Sequence, residues 1–343
     1  VRTLSRTACA VLSQGPKEAA KLHTFLTESW GLRVPIVGAP MSPQAGGKLA
    51  AALSNCGALG MLGLMRDAEA IPGLHADAEE FRRLAGERRF GVGLSAWALA
   101  SRPELLDAAI AVKPFAICVS FGDPTPYAAR IRDAGIELVC QVQDRQSALL
   151  AEAAGATLLV AQGTEAGGHT GGVGTLPLLQ IVLDLVSVPV VAAGGIATGR
   201  GLAAVLAAGA QGAWLGTPFL ASLEARNSAQ ARERILAAGE ADTVLTSAFD
   251  VGHGIPWPAQ FRGRALKNSF SERWDGHEAE LAQDAAARQD LQRALAAQDF
   301  ATAQIYAGQT VGLARQVEPA AEIVRRIEST AEARLRALTR VAL

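Results

Sequence analysis

The sequence predicts an α/β protein built as one (β/α)8, or TIM, barrel carrying an additional, mostly helical region. Three observations lead there. Short runs of Val, Ile, Leu and Ala recur without polar alternation, each followed by a glycine-rich or polar loop and an amphipathic stretch. The tripeptides AGA or AGI, or a single glycine, stand where helix hands over to strand ahead of several runs. The loops after the seventh and eighth runs are both glycine-bearing.

The runs fall at 34–39, 58–62, 90–94, 115–120, 136–142, 157–161, 189–193 and 213–215. Continuous apolar strands suit a parallel sheet covered on both faces, because neither face meets water. Eight such units close a barrel more naturally than they form an open sheet. Helices are expected between them at 47–54, 103–112, 125–134, 145–154, 176–186 and 199–208. After Phe219 the alternation stops. Residues 223–240 and 271–299 read as helix, and 249–263 as a loop carrying Pro256, Trp257, Pro258 and three glycines. In 319–342, Ile323, Ile327, Ala331 and Leu335 repeat at the four-residue spacing of a helix face. The expected organisation is therefore an N-terminal tail at 1–25, a barrel formed by 30–219 and 316–343, and a substrate-covering region at 220–315.

Bulk properties narrow the function. A chain of 343 residues, 50% hydrophobic and 19% charged, can bury a large core. With 32 basic against 33 acidic residues there is no field to recruit nucleic acid, and no apolar run approaches the roughly 20 residues of a membrane span. A soluble, cytoplasmic enzyme is expected. The Arg-, Ser-, Thr- and Ala-rich first twenty residues leave organelle targeting open beside a plain tail. Cys9, Cys56, Cys118 and Cys140 form no CxxC pair and read as reduced. The five scattered histidines lack the spacing of a metal site, so no metal is expected.

Barrel chemistry sits at the C-terminal ends of the strands. The first run ends in Ala39, Pro40 and Met41, a rigid turn against which a flat ring could rest. The sixth run enters a loop, 162–172, that holds five glycines and His169. Glycines admit a ligand close to backbone amides, and an imidazole there is a candidate acid or base. Gly194 and Gly195 follow the seventh run; Gly216 and Thr217 follow the eighth. That pair of loops is where barrels commonly bind phosphate through amide dipoles, which needs no net positive charge. Gln141, ending the fifth run, offers an amide donor and acceptor to a polar ring edge. Asn55 is a second amide candidate, or else a helix C-terminal residue in a left-handed conformation. Trp97, Trp257 and Tyr306 are candidates for the pocket wall, and His253 for its cap.

The ordered set Ala39-Pro40-Met41, Ser54-Asn55-Cys56-Gly57-Ala58-Leu59-Gly60, Gln141-Val142-Gln143, Gln162-Gly163-Thr164-Glu165-Ala166-Gly167-Gly168-His169, Ala193-Gly194-Gly195-Ile196 and Leu215-Gly216-Thr217 resembles the nitronate monooxygenase family. The likeness extends over about residues 30 to 335, including the Asp250 to Asn268 stretch and Tyr306-Ala307-Gly308-Gln309. It implies FMN, with phosphate on Gly194, Gly195, Gly216 and Thr217. It implies ring contacts from Ala39, Pro40, Met41, Asn55, Gln141, Ala166, Gly167 and Gly168, and a catalytic or substrate-orienting His169. The implied reaction is oxidation of alkyl nitronates, and of nitroalkanes, by O2 to a carbonyl compound and nitrite; a homodimer is compatible with it. Flavin-dependent enoyl reductases and NADH-quinone reductases are similar over the same motifs, so an NAD(P)H-dependent FMN reductase is the alternative. Cys56 stands where alanine is usual, Gln162 where some relatives are acidic, and the 93–97 stretch lacks a frequent asparagine.

Overall fold

The computed structural model describes residues 22–64 and 70–338. Eleven strands are present among them: β1 (Ile36–Gly38), β2 (Gly60–Gly63), β3 (Phe90–Ser95), β4 (Ala116–Ser120), β5 (Glu137–Val142), β6 (Leu158–Gln162), β7 (Gly168–Thr170), β8 (Val190–Ala193), β9 (Ala213–Leu215), β10 (Thr243–Thr246) and β11 (Arg262–Leu266). Eight of them pair in parallel in the order β1-β9-β8-β6-β5-β4-β3-β2. A bridge between Val37 and Leu59 joins the two ends, so the sheet closes into the expected barrel.

Side chains alternate between the two faces of each strand. Val37, Met61, Cys118, Val139, Leu158, Val160, Val191 and Trp214 fill the interior. Ile36, Leu62, Val92, Ile117, Leu138, Leu159, Val190 and Leu215 point outward under the helices. Both sets are buried, which is why the runs show no polar alternation. Gly91 is an inner position of β3 because Met61 fills the space: an added Cβ would lie 2.2 Å from its sulfur.

Residues 22–32 do not form part of a loose tail. Thr24 caps a short helix, Phe25–Glu28, in a reciprocal capping box with Thr27. Leu26 and Trp30 enter the interior cluster, and Trp30 meets Phe115 edge-on at 5.1 Å. This segment plugs the mouth at the N-terminal ends of the strands. Residues 1–21, the rest of the expected tail, lie outside the described residues.

Helices occupy Gly47–Asn55, Glu104–Ala111, Thr125–Asp133, Arg145–Ala153, Thr175–Leu185 and Gly199–Ala207, as the pattern predicts, with two more at Ile71–Ala85 and Ala96–Ser101. The last helix, Ala320–Leu338, lays Ile323, Val324, Ile327 and Ala331 against Gly199–Ala207. Close approach sets the glycine there, since a Cβ on Gly199 would lie 2.3 Å from the Ile327 carbonyl oxygen. The final residues of the expected 319–342 helix, from 339 on, fall outside the described ones.

The region after β9 differs from expectation in three respects: the helix expected at 223–240 spans only Ala229–Ala237, the one expected at 271–299 is divided into three, and the 249–263 loop is structured. The 249–263 stretch is not simply a loop: it contains most of a helix, Ala248–His253, and the start of β11. β10, β11 and β7 form a three-stranded antiparallel sheet with β11 in the centre. His169 therefore sits in a strand, paired with Gly263, and not in a free loop. Strands of three to five residues give too short a pattern to reveal pairing across about a hundred residues. Helices Ala229–Ala237, Ser269–Trp274, Glu278–Gln283 and Ala285–Ala296 complete a predominantly helical region with its own apolar clusters, centred on Ile235 and Phe249.

Candidate active site

The ends of β6, β8 and β9 interlock. Gly194 takes φ +94°, and a Cβ there would come within 2.9 Å of the Gly163 carbonyl oxygen and 3.0 Å of the Ala166 nitrogen. Gly195 follows at φ +69° and faces solvent. Two successive left-handed residues turn consecutive N–H groups to one side. Among the described residues, the amides of Gly194, Gly195, Gly216 and Thr217 find no acceptor in the protein. Thr217 Oγ1 accepts from the Gly308 N–H at 2.9 Å, tying β9 to the 307–308 turn. Glu165 accepts from the N–H and hydroxyl of Thr175, both at 2.8 Å, at the first turn of Thr175–Leu185. A carboxylate is favoured at a helix N-terminus. The four amides are thus left as free donors at the ends of β8 and β9.

Beside them lies a flat apolar platform. Ala39 donates its N–H to the Leu215 carbonyl at 2.8 Å, and Met41 donates back to the Ala39 carbonyl at 2.9 Å. Pro40 packs over β3 where Gly93 leaves room, because a Cβ on Gly93 would lie 2.3 Å from the Pro40 ring. Met41 reaches Gly216, its sulfur 3.1 Å from the position of an added Cβ. Gly167 packs against Ala307 and Gly308, which fixes the 166–168 turn next to β9. Gln141, next to last in β5, is half-buried. Gln143 donates to Gln162 at 3.0 Å, and Gln162 donates to the His169 carbonyl at 3.0 Å, so buried amides brace the β6 loop from below. Gln162 is thereby occupied with structure.

Among the candidates for cofactor contact, Asn55 is the one brought elsewhere. It ends helix Gly47–Asn55 before β2 begins, at the N-terminal side of the barrel. Its amide donates to the Leu84 carbonyl at 3.2 Å. The alternative also fails: Asn55 is helical, and Gly57 (φ +87°) takes the left-handed position. A helix that leaves the top of one strand must return to the bottom before the next strand, so its last residue cannot reach the strand tops.

His169 is held by a residue that the sequence did not single out. Its Nε2 lies 2.9 and 3.0 Å from the two carboxylate oxygens of Asp250, in the helix Ala248–His253. Trp257 stacks on the imidazole, with centroids 3.5 Å apart and planes at 10°. Phe121 meets Trp257, Phe261 and His169 edge-on at 5.1, 5.2 and 6.4 Å. Trp97 tilts against Trp257 at 4.9 Å, and Tyr306 lies 5.6 Å from His169. Trp97, Trp257 and Tyr306 are thus brought together, whereas His253 bonds Gln304 at 3.0 Å. Burial, and then the neighbouring Asp250 carboxylate, push the Tyr306 phenol well above its ordinary range. Phe121 follows β4 directly, where the strand-end rule could have found it, and its φ of +60° is unusual for a phenylalanine. Asp250 opens a stretch that carries the family likeness, but its segment reads as loop, which gives it no role.

The arrangement offers free backbone donors at two strand ends, the Ala39 to Met41 turn beside them, and a largely buried, carboxylate-held imidazole faced with aromatic rings. The described residues contain no cluster suited to a metal ion and no helix long and apolar enough to cross a membrane. A model of the nitronate monooxygenase family matches residues 100–329. A probable nitronate monooxygenase from Staphylococcus aureus (strain MSSA476) is 30% identical over 302 residues, covering 75% of this chain and 81% of that one. Among solved structures, FabK from Thermotoga maritima superposes with a TM-score of 0.81 at 28% identity, covering 94% of this chain and 100% of that one. Nitroalkane oxidase from Streptomyces ansochromogenes gives 0.75 at 30% identity, covering 90% and 98%.

Proposed function

Because this chain belongs to the nitronate monooxygenase family, and is therefore a flavin-dependent oxidoreductase, we propose that it binds FMN and oxidises alkyl nitronates with O2 to a carbonyl compound and nitrite. The observation that carries this reading is the position of His169: a buried imidazole beside the platform of strand-end loops, held from behind and walled by aromatic rings.

The residues present fit FMN. Four unpartnered amides on Gly194, Gly195, Gly216 and Thr217 suit a phosphate, and the left-handed glycines bring them to one side. Ala39, Pro40 and Met41 would back the ring, Ala166, Gly167 and Gly168 would border it, and Gln141 would meet its polar edge. Asn55 has no part in this. When bound, the flavin supplies the redox chemistry. The chain's own work is to hold the nitro group's oxygens near His169 and to keep water away with Phe121, Trp257 and Phe261. The 220–315 region would cover the substrate, since it contributes Asp250, Trp257 and Phe261 to the wall around His169.

Anaerobic mixing of the FMN-loaded protein with propyl nitronate, and separately with NADH, tests the proposal through flavin absorbance. Bleaching by nitronate alone is the expected result. Bleaching by NADH alone would overturn it in favour of an NAD(P)H-dependent reductase acting on a quinone or an enoyl thioester.

A further inference from the structure

We infer that Asp250 is a positioning residue that fixes the tautomer of His169, so that Nδ1 and not Nε2 is the nitrogen turned to the substrate as a base. The inference rests on the proposed function for its substrate but not for its geometry. Asp250 brackets Nε2 with both oxygens at 2.9 and 3.0 Å, while Nδ1 has no hydrogen-bond partner among the described residues. A carboxylate can only accept here, so the neutral imidazole carries its proton on Nε2 and keeps the Nδ1 lone pair. Both side chains are nearly buried, with 9% and 5% of their surface exposed, so water does not compete for the bond.

The surroundings lock the pair. Asp250 leaves the short helix Ala248–His253, whose Phe249 is packed into an apolar cluster with Phe270 and Leu291. His169 leaves β7, which is pinned to β11 at Gly263. A Cβ on Gly263 would lie 2.9 Å from Tyr306 and 3.4 Å from His169 Nε2, so glycine is the residue that lets the two rings and the carboxylate meet. Trp257 covers one face of the imidazole and prevents it from swinging away from Asp250.

With this geometry a neutral nitroalkane can be taken up directly. Nδ1 accepts the proton from the carbon bearing the nitro group; the C–H electron pair moves into the C–N bond and onto the nitro oxygens. The products are a nitronate and an imidazolium, whose charge the Asp250 carboxylate balances across Nε2–H. No oxidant is needed for this step, and the nitronate so formed is the substrate of the proposed oxidation.

The test is 15N NMR of the histidine-labelled, FMN-loaded full chain in mildly alkaline buffer, where free imidazoles are neutral, with His169 assigned by loss of its signals in His169→Gln. The expected spectrum shows a protonated Nε2 and a bare Nδ1 in the native protein, and loss of that preference in Asp250→Asn. A native protein with its proton on Nδ1, or a tautomer unchanged by Asp250→Asn, would overturn the inference. In turnover assays Asp250→Asn should lose about 100-fold on neutral nitroethane and several-fold less on ethyl nitronate. Equal losses on both would assign Asp250 a merely structural role. If the native protein oxidised neither compound, the proposed function would fail while the NMR result still decided the tautomer.

Discussion

The indole of Trp257 lies parallel to the imidazole of His169, 3.5 Å away and tilted by 10°. It comes from a stretch bearing Pro256 and Pro258, and it is backed by Trp97 and Phe121. A substrate bound at His169 would meet this ring. Replacing Trp257 with alanine removes a stacking contact of about 1 kcal/mol. The expected outcome is a KM for propyl nitronate raised roughly fivefold, with kcat changed less, in steady-state assays of oxygen consumption.

Gly194 and Gly195 separate folding from ligand binding. Gly194→Ala combines a positive φ with contacts of 2.9 to 3.0 Å to Gly163, Thr175 and Ala166, and should cost about 2–4 kcal/mol in urea denaturation. At Gly195 the nearest atom to an added Cβ is 3.6 Å away, on Glu165, so only the backbone preference opposes it. Gly195→Ala should cost about 1 kcal/mol. Its FMN affinity, read from flavin fluorescence on titrating the apoprotein, should weaken at least tenfold if the free amides hold phosphate.

Pro40 and Gly93 act as a pair. A methyl group at position 93 would strike the proline ring at 2.3 Å and push the first strand-end turn off the platform. Gly93→Ala should therefore weaken FMN binding while far-UV circular dichroism stays native. Unchanged affinity would show that the Ala39 to Met41 turn does not support the ring.

High pH should destabilise the fold. Burial raises the Cys118 thiol from 9.0 to about 12, and Cys140 and Tyr306 are raised as well. These groups stay protonated in the native state when the unfolded chain has already lost its protons, so stability is intact below about pH 9 and falls as pH rises toward 12. Each such group contributes a slope of up to about 1.4 kcal/mol per pH unit. Urea midpoints measured at increasing pH should show the decline, and Cys118→Ala should make it shallower. The same protonation predicts that Cys118 and Cys140 resist iodoacetamide until the chain unfolds.

Asp77 joins two distant segments. It accepts from the Gly47 N–H at 3.1 Å, at the start of helix Gly47–Asn55, and pairs with Arg226. Arg226 is partly exposed, which screens the ion pair. Asp77→Ala should lower stability by about 1–2 kcal/mol, mostly through the lost cap, as a shift in thermal midpoint without loss of FMN.

The eight apolar runs and their glycine punctuation were enough to determine the barrel, because strands buried on both faces and helices buried on one leave periodicities that need no distant partner. The same local grammar marked Gly194, Gly195, Gly216 and Thr217, which follow their strands directly. It misplaced Asn55, since a motif says that residues are near in sequence and not at which end of a helix they stand. It placed Trp257 and Tyr306 only as candidates, and Asp250 only as the start of a matching stretch, without a role. Their meeting with His169 depends on β7 pairing with β11 across about ninety residues and on the short helix Ala248–His253. Such contacts are decided by packing between segments too short to carry a pattern, so only the tertiary structure could bring a carboxylate to the back of the imidazole.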